Sequence, residues 1–303
     1  MTKQPKFSLL ILSYNTKKLL ADCLDSIYHH TKKVDFEVIV IDHNSQDGSV
    51  DLIKKYQKQK ANFKAIFKKD NPGFGTGNNN AAKQATGQYL LLLNSDTLFT
   101  YNLLLAIANK IDKVKSLGIY SVMLKNSDGS FQGSGGAFPN LCNVFAWQMG
   151  IDDIPLLSRL FSSFHPKADS PLYKSGLDWV TGAFMVIPKK VYDAVGGFDE
   201  KIFMYTEEME LAYRIKSLPK KVVYDSSESL IHLGGGSGGS FLALTSEVKY
   251  LIYFWHKHKP LWQLPIVRLT IFAGSLLRLL FFGIIKQNET YKKAYLEALR
   301  LCL

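Results

Sequence analysis

Cysteine is nearly absent from this chain. Three residues, Cys23, Cys142 and Cys302, are spread over 303 positions, odd in number and without metal-ligand spacing. That excludes a disulfide-built scaffold and a cysteine-held zinc, and it favours a reducing compartment. Internal repeats and long low-complexity tracts are lacking too; the nearest approach is the flexible glycine-serine stretch 234–240. No Gly-Lys-Ser/Thr phosphate loop occurs, and no Gly-x-Gly-x-x-Gly follows the first strand, which argues against a dinucleotide oxidoreductase. The apolar run in the opening MTKQPKFSLLILSYN is too short for a secretion signal, so a cytosolic face is the expectation. With 47% apolar and 21% charged residues the chain is neither disordered nor a coiled coil, and its length allows one large domain or two modest ones.

What is present is an alternation of strand and helix signals. Apolar runs at 7–12, 36–41 and 89–93 read as buried strands, with a weaker one at 63–67. Helices are expected over 16–30, with Thr16 as a candidate N-cap, over 49–60 and over 78–86. Further on, 179–187 reads as a buried strand, 189–195 as a short helix ended by Gly196-Gly197, and 207–217 as a helix opening on acids. Asp128-Gly129 reads as a turn between two strands, whereas 142–164 has no clear period. Alternating strands and helices imply an α/β fold with a mostly parallel sheet, whose ligand lies outside the carboxyl ends of the strands. Four polar clusters fall at such ends: Ser13-Tyr14-Asn15, Asp42-His43-Asn44, Asp70-Asn71 and Asn94-Ser95-Asp96.

Four places could carry chemistry. Asp96, just past a buried strand, can hold a divalent cation, or it can be a turn acid. In Asn71-Pro72-Gly73-Phe74-Gly75-Thr76-Gly77-Asn78, three glycines before a helix allow close approach of a phosphate, or form an ordinary turn. Asp199, Glu200, Glu207, Glu208 and Glu210 lie among aromatic residues. Apolar surroundings raise carboxyl pKa values, as a general base requires; alternatively these acids complement a helix dipole. His232, at the end of an apolar run, is either structural or a ligand.

The motifs ILSYN (11–15), IDHNSQDGS (41–49), NPGFGTGNNNAA (71–82), LLLNSDT (91–97), TGAFMVI (181–187), GGFDEKIFMYTEEMEL (196–211) and IHLGGGS (231–237) together resemble a family 2 glycosyltransferase of the GT-A fold. The resemblance is to a bacterial, rhamnosyltransferase-like branch and covers residues 7–240. It implies inverting transfer of a sugar from a UDP- or dTDP-type donor to a saccharide acceptor, lipid-linked or part of a cell-surface polysaccharide. It places Ser13, Tyr14, Asn15, Asp42, Asn44, Asn71, Gly73, Phe74, Asn78, Asn94 and Ser95 around the nucleotide sugar. Asp42 would bond the pyrimidine ring. Asp96, with His232, would hold Mg²⁺ or Mn²⁺. Glu208 stands where the family's base is usually Asp, so Glu208 and Glu207 both remain candidates. The alternative is a degenerate nucleotide-sugar-binding subunit of a polysaccharide assembly complex.

The expected domains are a GT-A domain over 1–240 and a basic helical extension over 241–303. From Lys249 onward the chain holds nine basic and two acidic residues, out of an overall net charge of +11. In 261–285, Arg268 and Arg278 interrupt the apolar character, and the longest charge-free stretch, 269–277, is too short to span a bilayer. With Trp255, Trp262 and flanking lysines, the segment reads as an interfacial helix on an anionic membrane, at the cytoplasmic face. The other reading is a helix packed on its own domain or in a homodimer. Large aliphatics among the basic residues argue against nucleic acid.

Overall fold

The structure, a computed structural model, describes residues 4–154, 164–166, 170, 172–234 and 241–303. The expected glycine-serine stretch thus lies, from 235 to 240, outside the described residues, as does the expected boundary at 240. The described chain divides into two compact units: Met1–Ser134 with Ser175–Phe203 and Glu207–Gly234, and Gly135–Lys174 with Met204–Thr206 and Gly235–Leu303.

In the first unit the alternation runs β1 (Phe7–Ser13), α1 (Lys17–His30), β2 (Phe36–His43), α2 (Ser49–Gln59), β3 (Phe63–Lys68), α3 (Phe74–Ala82), β4 (Tyr89–Asn94), β5 (Thr97–Leu98), α4 (Leu103–Ile111), β6 (Leu117–Lys125) and β7 (Phe131–Gln132). After β8 (Gly135–Gly136), α5 (Leu141–Gln148) and α6 (Leu172–Ser175) come β9 (Trp179–Val180), β10 (Phe184–Pro188), α7 (Lys189–Ala194), α8 (Glu207–Lys216) and β11 (Lys221–His232). The main sheet has the order β3-β2-β1-β4-β10-β6-β11-β5, with β7 beside β6. β1, β2, β3 and β4 are parallel, as is β11 to β6, whereas β10 runs antiparallel to β4 and β6. The sheet is therefore parallel where the first three crossovers build it and mixed beyond.

Helix α1 forms because Leu20, Cys23, Leu24 and Ile27 make one stripe, and all four are buried against β1 and β2 residues such as Leu9, Ile11, Val38 and Val40. Thr16 precedes it without a side-chain cap bond. Two expectations differ from the fold. The third helix begins at Phe74, not Asn78, because Gly75 and Gly77 are helical: a Cβ on Gly75 would lie 2.9 Å from Phe198 Cβ, and one on Gly77 2.6 Å from Leu12 Cδ2. These glycines permit close packing rather than ligand approach. The expected strand 179–187 is broken into β9 and β10 by the turn at 181–183.

Glu37, inside β2, ties this half together. Its Oε1 accepts bonds from Ser8 Oγ (2.6 Å), Thr86 N (2.6 Å) and Thr86 Oγ1 (2.8 Å), and its Oε2 pairs with Lys64 at 2.7 Å. Burial alone would raise the carboxyl pKa, but these partners outweigh it and hold it below the usual glutamate range.

The second unit contains α9 (Phe241–His258), α10 (Leu264–Arg278) and α11 (Glu289–Cys302). A 3₁₀ turn at Leu261–Gln263 and a π-helical segment at Leu279–Ile285 extend α10 at its two ends. The whole of Leu261–Ile285, with a mean hydropathy of 1.7, is long and apolar enough to cross a membrane by length and composition alone. Trp255, expected at a membrane interface, is instead fully buried in α9, its Nε1 donating to Gln263 Oε1 at 3.1 Å.

A lowered folded-state pKa stabilises the fold above the unfolded pKa of about 4.3 and is lost as pH falls through the folded value. Glu37→Gln should therefore cost stability at pH 7 in urea unfolding, with the gap to the parent protein closing as pH drops below 4. A gap that persists unchanged at low pH would show that the charge is not what matters.

Candidate active site

The candidate side chains gather at the carboxyl edge of β1, β2 and β4, all within the first unit. Parallel register sets Ser13 opposite Asp42, so two polar side chains end adjacent strands side by side. Both are buried, and Ser13 Oγ and Asp42 Oδ2 have no hydrogen-bond partner, while Asp42 Oδ1 accepts from Ser45 N at 2.9 Å. His43 Nε2 and Asn78 Oδ1 are likewise buried and unpartnered. A buried polar atom without a partner costs about 1–3 kcal/mol. Ser13 and Asp42, at the ends of adjacent strands, thus keep hydrogen-bonding capacity that the protein itself leaves unused.

The loops above that edge are stitched to each other. Asn15, at φ 54°, donates its N–H to Ser45 Oγ (2.8 Å), and its Oδ1 accepts from Gln46 N (2.8 Å). Asn44, at φ 66°, accepts from Gln46 Nε2 at 3.1 Å. Asn15 and Asn44 thus shape the loops with their side chains. Tyr14 is exposed, and its ring is available as a stacking surface. Asn71 Oδ1 accepts from Gly73 N at 3.1 Å, which fixes the turn into α3. Gly73 holds φ 91°, and a Cβ there would sit 2.1 Å from Phe203 O. That carbonyl accepts the N–H of Phe74 at 2.9 Å.

Asp96 and His232 are brought together by sheet pairing. The end of β11 runs antiparallel to β5, with His232 opposite Thr97 and Ile231 opposite Leu98. His232 Nδ1 lies 2.6 Å from Gln132 Oε1, and Gln132 is oriented by its own bond to Asn126 Oδ1 (3.0 Å). Nδ1 therefore carries the proton, and Nε2 lies 3.3 Å from Asn94 Nδ2 and 3.2 Å from Asp96 Oδ1. A ring nitrogen this close to a carboxylate oxygen is matched by a proton or a shared cation between them. Nitrogen and oxygen donors at that spacing suit one Mg²⁺ or Mn²⁺ ion, whose remaining ligands would come from phosphate and water. Among the described residues no group of three or more His, Cys, Asp or Glu side chains gathers as a metal site. Ser95, buried beside Asp96, lies 3.3 Å from Thr16 Oγ1.

The acidic segment separates into roles. Arg214 binds both oxygens of Glu210 (2.9 Å each) and also the carbonyls of Val195 (2.6 Å) and Gly197 (2.7 Å), so Glu210 anchors α8. Asp199 accepts from Lys201 N, and Glu200 from Asn79 Nδ2, both at 3.0 Å. Glu207 and Glu208 remain as a pair in the first turn of α8. Burial raises the pKa of both carboxyls, and further for Glu207, which also meets the charge of Glu208. Glu207 is 2% exposed with Oε2 unpartnered, whereas Glu208 is half-buried and accepts Gly182 N–H at 3.2 Å. Two buried carboxyls in one turn disfavour ionising together, and Glu207, pushed up further, is the later of the two to ionise.

Three side chains were not among the site residues expected from the sequence. His43 entered only as part of a polar strand end, and Gln132 reaches His232 only through long-range pairing. Asn79 accepts from Tyr192 OH (2.6 Å) and Phe198 N (2.8 Å) and donates to Phe198 O (3.0 Å), which latches α3 to the acidic segment. The one available signal for it was a run of three asparagines in a helix, where asparagine is disfavoured.

The family model described as glycosyl transferase family 2 matches residues 8–169. The chain belongs to this family. A poly(ribitol-phosphate) beta-glucosyltransferase of Bacillus spizizenii is 39% identical over 93 residues, 30% of this chain and 15% of that protein. The N-acetylglucosaminyl-diphospho-decaprenol L-rhamnosyltransferase of Mycobacterium tuberculosis is 23% identical over 249 residues, 76% of this chain and 78% of that one. The alignment thus spans only a small part of the Bacillus protein and most of the mycobacterial one. Among solved structures, a mannosyltransferase from Pyrobaculum calidifontis in complex with GDP-Man and Mn²⁺ superposes with a TM-score of 0.58 at 15% identity, covering 99% of this chain and 86% of that one. The fold is that of the GT-A glycosyltransferases.

Gly73 has neither room for a side chain nor a φ that alanine adopts easily, so Gly73→Ala should destabilise the protein by more than about 1 kcal/mol. Urea unfolding reads the effect; an unchanged midpoint would mean that the Phe203 carbonyl moves aside freely.

Proposed function

We propose that the protein is an inverting glycosyltransferase that moves a sugar from a nucleoside-diphosphate donor, of the UDP or dTDP type, to a hydroxyl of a lipid-linked or cell-surface polysaccharide precursor at the cytoplasmic face of the membrane. The observation that carries this reading is the set of unpartnered buried atoms, Ser13 Oγ and Asp42 Oδ2 at the sheet edge and Asn78 Oδ1 in α3, together with the facing pair Asp96 and His232. Asp42 accepts a ring N–H of the base, and Tyr14 covers the nucleoside. Asp96 and His232 would hold a divalent cation, Mg²⁺ or Mn²⁺, which supplies positive charge against the diphosphate that leaves. Glu208 takes the acceptor's proton as its oxygen attacks the anomeric carbon. Burial of both carboxyls disfavours ionising Glu207 and Glu208 together, and Glu207 is the later to lose its proton. Rhamnose as the donor sugar, and a lipid-diphosphate acceptor, are supported by the name of the mycobacterial relative, which matches over most of both lengths.

Thermal unfolding with UDP, dTDP or GDP, each with and without Mn²⁺, tests the donor site. A ligand at about 100 times its Kd adds roughly 2.7 kcal/mol, so UDP or dTDP with Mn²⁺ should raise the midpoint by several degrees. Asp42→Ala and Asp96→Ala should each reduce that rise. No shift with any of the nucleotides would sink the reading. Glu208→Gln should keep the nucleotide shift and lose about 10²–10⁴-fold in kcat.

The pH profile separates the two acids. Both pKa values are raised, so the acid limb of kcat/KM should lie above the ordinary glutamate range. Glu207→Gln removes the later-ionising acid of the two and should leave this limb near its place, whereas Glu208→Gln should abolish it. A limb lost in Glu207→Gln and kept in Glu208→Gln would make Glu207 the base.

A further inference from the structure

We propose that the helix Leu261–Ile285 docks the protein on an anionic lipid bilayer by lying in the plane of the interface, half-embedded, rather than by spanning it. The inference concerns the second unit alone and stands or falls independently of the transferase reading.

At 100° per residue, Trp262, Ile266, Leu269, Leu277, Leu280 and Ile284 fall within about 80° of one another on the helical wheel. All six are exposed, Trp262 at 64% and Leu269 at 69%. The opposite arc is buried along α10, at Val267, Ile271 and Gly274, and at Leu279 just after it, whereas Leu261 and the end of the segment at Phe281, Phe282 and Ile285 are exposed as well. Both arginines fall on that buried arc. Arg278 donates to the carbonyls of Trp147 and Gln148 at 2.7 Å each, the last carbonyls of α5, and its guanidinium lies over the Trp147 ring. Arg268 is half-buried, with Nε fully so. The charges that break the apolar run in the sequence therefore leave the exposed face without any charge. A 25-residue face of this kind is about 37 Å long.

The geometry favours a lipid surface over both alternatives. A spanning helix would have to leave α5, yet Gly274 packs there so closely that a Cβ would lie 2.3 Å from Gln148 Oε1. It would also strand two arginines in hydrocarbon. A second copy of the chain would bring two basic rims together: Lys257 and Lys259 precede the helix, Lys286 follows it, and Lys293 and Arg300 are exposed on α11. The two acids of this region are already engaged, Glu289 with Lys292 at 3.2 Å and Glu297 with Arg300 at 3.4 Å. An apolar face with cationic ends is complementary to anionic headgroups over an acyl layer.

The test is flotation of the full chain with vesicles of phosphatidylcholine alone or with about one-third phosphatidylglycerol. The protein should float with the anionic vesicles, less with neutral ones, and less again in high salt. Trp262 emission should shift to the blue and be quenched by brominated acyl chains. L269E/L277E should lower partitioning at least about tenfold while keeping the thermal midpoint. Should that variant fail to fold, K286Q/K293Q should weaken binding to the anionic vesicles alone. In W262F/L276W, a shallow quenching depth equal to that of Trp262 supports the in-plane pose, and a depth near the bilayer centre overturns it. Absence of flotation with every vesicle overturns the proposal, as does a lipid-free dimer that L269E/L277E converts to monomer.

Discussion

The antiparallel contact between β5 and β11 is the constraint on which the site depends. β5 is two residues long, and a strand that short has no stability of its own. It exists because β11 arrives beside it with its other edge already paired to β6. β11 is in turn fastened at its middle: Lys110 of α4 binds Asp225 (2.8 Å) and Glu228 (2.6 Å), and Tyr101 donates to Glu228 at 2.6 Å. Burial opposes the charge on Asp225, yet Lys110, Ser227 and Tyr120 hold its carboxyl down to about 2. These bonds are far from the sheet edge, but they set where β11 ends. Because it ends opposite Thr97, His232 faces Asp96.

A second constraint works through α3. Gly75 and Gly77 let the helix settle onto Phe198 and onto Leu12, closer than any side chain would allow. Asn79 then meets Tyr192 and the Phe198 backbone with its whole amide. Arg214 carries the linkage from Val195 and Gly197 to Glu210 in α8. The result is a fixed relation between the glycine turn at Gly73 and the first turn of α8. Fixing that relation matters because a displacement of about 1 Å at a reacting group can cost roughly 10²-fold in rate.

The parallel half of the fold was legible in the sequence because local signals write it. Buried runs such as FEVIVI, the stripe Leu20–Cys23–Leu24–Ile27 and the polar strand ends need only near neighbours to be read. The site's polar edge was legible for the same reason, since Ser13, Asp42 and Asn94 each close a strand. The antiparallel half was not, because β10 and β11 take their partners from far along the chain; the Asp128-Gly129 turn announces the β6–β7 hairpin but not where β6 joins the main sheet. Glycine misled in one respect: the same Gly-x-Gly that invites a ligand also invites a helix to pack, and only the contacts to Phe198 and Leu12 tell the two apart. The arginines of α10 misled in another, since a charge on an apolar run marks a break only until the fold supplies a carbonyl to receive it.

The same kind of long-range placement bears on the acid at 208. A glutamate is one methylene longer than an aspartate, and the added length needs space to fold into. Gly182 provides it. A Cβ there would lie 2.6 Å from the Phe74 ring and 3.3 Å from Glu208 Cγ, so the absent side chain is what leaves room for the longer acid. Gly182 sits at the break between β9 and β10, and its N–H, freed from the strand ladder by that break, is donated to Glu208 Oε1. Had 179–187 continued as one strand, that N–H would be available to a neighbouring strand instead. The interruption of the strand, the glycine within it and the glutamate opposite form one arrangement, in which the backbone turn holds the carboxylate that a longer side chain would otherwise leave loose.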